Sequence, residues 1–176
     1  SITGVDRTLV PKTGGAKVTL RGSFLVGVSA LSLGSKSVSS WDESLDGTTL
    51  TFISPESTTG GTADISVTTS SGLVSLPNAV TFGDSPAAPS LTGISPQDSS
   101  VTLGWSAPSS SGSSPITSYV ATVSPGGETC TWTVGPLNCT VTGLTNGTTY
   151  RATVRAFSAV GPGVSSANSA SFVPYK

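Results

Sequence analysis

The chain has two cysteines, Cys130 and Cys139, in the segment CTWTVGPLNC, and no histidine. Two thiolates alone do not fill a tetrahedral zinc site. A disulfide is therefore the leading expectation for the pair, with two free buried thiols as the alternative. A disulfide would require an oxidising compartment, which means secretion or a cell-surface location. Without histidine, neither a Ser-His-Asp nor a Cys-His arrangement can be built. The nine acids are dispersed except for Asp42, Glu43 and Asp46 in WDESLDGT. Such a trio could offer oxygens to calcium or a carboxylate pair for acid–base work. Its spacing fits no calcium loop, and Asp46-Gly47 reads as a hairpin turn. The expectation is a solvated turn, with no catalytic residue, no metal and no cofactor.

The remaining candidates are contact residues. Trp132 alternates with Cys130 and Val134 and is expected to pack beside the cysteine pair, with sugar stacking as the alternative. Trp41 borders a loop and could belong to a binding patch, because large exposed apolar groups usually have a partner. Thr149, Arg151, Thr153 and Arg155 form an outward row on which Arg151 and Arg155 could grip an acidic partner. A solvated face is the plainer reading of that row. Asn138-Cys139-Thr140 and Asn146-Gly147-Thr148 match the glycan acceptor pattern, and no glycan is assigned to either. The glycine-rich segments lack the spacing of a phosphate loop.

These residues must be held by strands. Ser and Thr make up roughly a third of the 176 residues, and 21 Gly and 12 Pro are spread along the chain. Charged residues are only 10%, where a quarter is usual. Thr favours strands, whereas Ser, Gly and Pro favour turns, so many short strands with frequent turns are predicted. The net charge of −1 and the scattered basic residues leave no footprint for nucleic acid. No apolar run is long enough to insert in a membrane. The chain opens at Ser1 and reads as a mature chain or an excised fragment.

Residues 1–83 form a first unit. Ala16, Val18 and Leu20 alternate with Lys17, Thr19 and Arg21, which predicts a strand with one buried face. Strands follow at Val28 to Leu33, Ser35 to Trp41, Thr48 to Ile53, around Ala63, Ile65 and Val67, and up to Phe82. The pattern resembles the TIG (IPT) family of immunoglobulin-like domains. It is carried by Gly14-Gly15, Val18 to Leu20, Gly22, Phe24, Leu33-Gly34, Pro55, Asp64 to Val67, Gly72 and Phe82. The segment TLVPKT departs from the family's usual Ser-Pro and Gly ahead of the double glycine. Residues 84–89 read as a proline-rich, semi-rigid linker.

Residues 90–176 form a second unit. Val101, Leu103 and Trp105 alternate, as do Tyr119, Ala121 and Val123. Tyr150, Ala152, Val154 and Ala156 make a third inward row, and Val164 to Val173 is expected to close the sheet. This half resembles a fibronectin type III domain of the kind common in secreted bacterial proteins. The resemblance rests on Trp105, Pro108, Pro115 to Tyr119, Gly143-Leu144, Asn146-Gly147, Tyr150, Val154, Ala156 and Gly161 to Gly163. It implies that Trp105 is core and that the Tyr150 hydroxyl bonds backbone a few residues upstream. The cysteine pair departs from the family pattern; in that fold it would staple neighbouring strands across the sandwich edge.

The fold expected is all-β, two immunoglobulin-like β-sandwiches in tandem. The function expected is a non-catalytic spacer or adhesion module of a secreted or surface-exposed bacterial protein. Its partners would be other domains of the same polypeptide or surface assembly. One alternative is a self-assembling subunit of a filament, surface layer or virion decoration, with Ser1 to Val5 or Val164 to Val173 as donor strand. Another is an accessory carbohydrate-binding module of a secreted polysaccharide-degrading enzyme, which predicts exposed Trp41 and Trp132.

Overall fold

The computed structural model describes residues 1–176 and consists of strands and turns without an α-helix. It divides into two compact units, Ser1–Asp84 and Ser85–Lys176. Each has its own apolar core.

The first unit contains β1 (Ile2–Val5), β2 (Leu9–Pro11), β3 (Lys17–Gly22), β4 (Ala30–Leu33), β5 (Lys36–Ser37), β6 (Trp41–Glu43), β7 (Thr49–Ile53), β8 (Gly61–Thr69) and β9 (Gly72–Gly83). One sheet has the order β1-β3-β7-β6 and the other β2-β9-β8-β4-β5. The opening segment therefore serves both sheets: β1 runs antiparallel to β3, and β2 runs parallel to β9. In β3, Val18 and Leu20 point inward between outward Lys17, Thr19 and Arg21. They meet Leu31, Leu33, Ile65 and Val67 from the facing sheet in one core.

Two glycines of the first unit are needed for fit. Gly14 has φ +71°, and a Cβ there would stand 2.9 Å from the backbone of Ser54 to Glu56. At Gly22 a Cβ would strike the Ser1 carbonyl. Phe24, one of the residues that carry the resemblance of this unit, is 82% exposed, and its neighbour Leu25 is buried. The reason is backbone geometry: Phe24 has φ +60°, which turns its side chain out and sends the next residue in.

The second unit contains β10 (Ser90–Gln97), β11 (Ser100–Ser106), β12 (Ile116–Ser124), β13 (Thr129–Trp132), β14 (Asn138–Thr142), β15 (Arg151–Ser158) and β16 (Pro162–Ser165). Its sheets have the orders β10-β11-β14 and β13-β12-β15-β16. Val101, Leu103 and Trp105 face Tyr119, Ala121, Val123, Val154 and Ala156 across the core. Trp105 and Tyr119 have ring centroids 5.6 Å apart, and Tyr119 meets Trp132 edge-on at 5.3 Å.

The closing segment departs from expectation. Regular strand ends at Ser165, and residues 166–172 return to β15 by a different device. Ser166, Ser169 and Phe172 are buried, while the residues between them are exposed. The Ser166 and Ser169 backbone amides donate to the carbonyls of Val154 and Ala152 at 2.8 and 2.9 Å. In return, the Val154 and Ala152 amides donate to the Ser166 and Ser169 hydroxyls at 2.9 and 2.8 Å. Phe172 and Tyr150 exchange two backbone bonds at the end of the run. Three residues of this segment thus advance alongside two of β15, about 2.2 Å per residue against the 3.3–3.4 Å of a strand. At Ser166 and Ser169 the serine hydroxyl supplies the acceptor, whereas at Phe172 the backbone carbonyl does. Both donor segments considered above are consequently engaged in their own sandwiches, Ser1 to Val5 through β1 and Val164 to Val173 along β15.

Candidate contact surface

Of the acidic trio, Asp42 and Glu43 stand on β6 and only Asp46 lies in the turn that follows. The Glu43 carboxylate accepts the Gly27 amide at 2.8 Å, the Val28 amide at 2.9 Å and the Trp41 indole N–H at 3.1 Å. These donors, the Val28 amide foremost, hold its pKa below the ordinary glutamate value. Asp46 accepts the Ser44 hydroxyl at 2.6 Å and both the amide and hydroxyl of Thr48. The Ser44 hydroxyl is the main cause of its lowered pKa. Asp42 stands exposed on β6. No His, Cys, Asp and Glu gather in a set of three that could hold a metal ion.

Both tryptophans of the sugar-stacking alternative are partly buried. Trp41 is half-buried against the first core. Trp132 is half-buried against the second, and its indole donates to the Pro136 carbonyl at 2.7 Å. Trp105 is 4% exposed. Val134 does not share the Trp132 face, contrary to the alternation read from sequence. The strand ends at Trp132, and Val134 is 84% exposed in the turn that leads through Gly135 at φ +98°.

Cys130 and Cys139 are joined, with their Cα atoms 6.1 Å apart. Cys130 is on β13 and Cys139 on β14, which belong to opposite sheets. The bond therefore ties the two layers of the sandwich together. The Tyr150 hydroxyl accepts the Thr145 amide at 3.0 Å, the upstream backbone bond implied by the resemblance. The neighbouring turn is clasped by Asn146, which donates to Asp98 at 2.7 Å and accepts the Ser99 amide at 2.8 Å. Both sequons differ in access: Asn138 is exposed, whereas the Asn146 amide is engaged in this clasp.

Arg151 and Arg155 both point outward from β15, as their alternation predicts. Arg151 donates to the Ser169 carbonyl at 3.0 Å. Arg155 edges a groove of about 270 Å³ with Val120, Thr122, Thr153, Phe157 and Ser165. A second set of exposed groups lies on the first unit, where Phe24, Val26 and Leu45 project from adjoining loops. Their exposure was not legible in the sequence, where no alternation marks the side to which they point.

A three-stranded and a four-stranded sheet enclose the second core, with a tyrosine corner leading into β15. The fibronectin type III domain family matches residues 84–172. The chain belongs to the fibronectin type III family. Domains of this family are generally non-catalytic structural or interaction modules. Among solved structures, the FN1-FN3 domains of chicken CNTN1 are similar over 100% of this chain and 66% of that one, at 11% identity and a TM-score of 0.60. A run of titin domains is similar over 100% of this chain and 67% of that one, at 16% identity and a TM-score of 0.49. Titin kinase with its flanking domains matches 52% of this chain and 17% of that one, at 28% identity and a TM-score of 0.40. The chain thus spans about two thirds of the first two structures and under a fifth of the third. No curated protein matches it in sequence. The CNTN1 likeness reports the fold, tandem β-sandwiches of the immunoglobulin and fibronectin type III kind. The fold and the disulfide are compatible with an extracellular location.

Proposed function

We propose that this chain is a spacer and adhesion module of a secreted or surface-exposed bacterial protein. In this reading residues 1–83 are a TIG/IPT-like domain, 84–89 a linker and 90–176 a bacterial-type fibronectin type III domain. The observation that carries it is the Cys130–Cys139 bond between the two sheets of the second sandwich. Such a bond persists in oxidising surroundings and is rare in the cytosol. Closed cores and hydrogen-bonded turns favour a supporting role over chemistry on a substrate. The half-buried, hydrogen-bonded indoles of Trp41 and Trp132 weigh toward a spacer over a carbohydrate platform.

The test is a thiol-labelling experiment on protein recovered from its native cells, paired with protease shaving of those cells intact. The expected result is no labelling without reductant, two labels with it, and loss of the protein on shaving. Two freely labelling thiols in the native protein would remove the support for secretion.

A further inference from the structure

The second unit has three basic residues, Arg151, Arg155 and Lys176, against two acids, Asp98 and Glu128. Asp98 is held by Asn146, and Glu128 lies in the turn between β12 and β13. No acid stands on β12, β13, β15 or β16. The outward face of that sheet therefore carries two guanidinium groups without a counter-charge. They differ in commitment. Arg151 spends part of its fork on the Ser169 carbonyl. The Arg155 side chain makes no hydrogen bond or ion pair and is exposed. Its register partners are Val120 on β12 and Ser165 on β16. Val120 and Phe157 give the groove beside it apolar lining, and Thr122, Thr153 and Ser165 give it hydroxyls.

We propose that this face docks an extended acidic segment of a partner polypeptide, an inference that rests on reading the chain as an interaction module. A guanidinium fork takes a carboxylate through two parallel hydrogen bonds. Arg151 and Arg155 are four residues apart, about 13 Å along the strand. An extended peptide returns to the same face every second residue. Acids at positions i and i+4 therefore reach both arginines, and an apolar residue at i+6 reaches Phe157 when the peptide runs parallel to β15. Arg155 is the anchor because nothing else occupies its donors. Arg151 is the auxiliary contact, already oriented by Ser169.

The probe is the capped heptapeptide Glu-Thr-Thr-Thr-Glu-Thr-Leu, titrated onto the whole chain at low salt and followed by amide chemical shifts. Binding at submillimolar to millimolar peptide is expected, with shifts centred on β12 and β15. Affinity should fall when salt is raised, as it does for exposed charge pairs. Arg155→Ala should weaken binding about fivefold or more, and replacing both glutamates by glutamine should do the same. Arg155 is exposed, so the melting temperature of Arg155→Ala should match the parent. Absence of binding at millimolar peptide overturns the proposal, and so does binding indifferent to Arg155→Ala or to the glutamine peptide. Alginate oligomers binding where the peptide does not would assign the face to an acidic polysaccharide and likewise overturn it. Each of these failures leaves the thiol-labelling and shaving results intact, so the module reading stands or falls separately.

Discussion

At the scale of single residues, three side chains make separable claims. Tyr150 is buried with its hydroxyl on the Thr145 amide. Tyr150→Phe keeps the ring and removes that acceptor, at an expected cost of about 1 kcal/mol in denaturant unfolding. Phe24 holds φ +60° while 82% exposed, so its ring gains little and its backbone is strained. Phe24→Gly should therefore stabilise the first unit by about 1 kcal/mol, read as a rise in its unfolding midpoint. Glu43 has its pKa lowered in the folded protein, chiefly by the Val28 amide. A depressed carboxylate contributes stability above its unfolded pKa and loses it as pH falls through the folded value. The melting temperature of the first unit should accordingly drop on acidification below about pH 4, and Glu43→Gln should flatten that drop while lowering the neutral-pH melting temperature.

At the scale of elements, the alternating strands were legible from residue order. Val18 and Leu20, Tyr119, Ala121 and Val123, and Ala152, Val154 and Ala156 all face inward, because apolar residues at every second position leave one solution for a half-buried strand. The closing segment was illegible for the same reason. Its buried positions, Ser166, Ser169 and Phe172, recur every third residue, and two of the three are polar, so no hydrophobic period marks them. Only their hydrogen bonds to β15 reveal the element. Ser166→Ala or Ser169→Ala should each cost about 1–3 kcal/mol, because a buried amide of β15 is left without its acceptor. Cysteine at either position should not rescue the loss, since a thiol is a weak acceptor. Arg151→Ala should add a smaller loss through Ser169. Val134 departs from the alternation because the strand ends at Trp132, two residues before it, as the chain enters the turn through Gly135.

At the scale of the whole molecule, two independent cores predict two unfolding transitions. The disulfide lies wholly in the second unit. Reductant should lower one transition by about 2–3 kcal/mol through the regained freedom of a short loop, and leave the other in place. Calorimetry with and without reductant checks this and identifies the transition. The tandem-sandwich fold could be anticipated because turn residues and strand periods recur along the entire chain. The free Arg155 and the committed Arg151 could not be told apart in sequence, where they are equivalent members of one outward row. The same bond has a mechanical side. A pull on the two ends draws out every residue except those between Cys130 and Cys139, which the bond withholds. Under load, the oxidised chain should extend about 25 Å less than the reduced one when the second sandwich yields. A tether of this kind would have two working lengths, selected by the redox state of its surroundings.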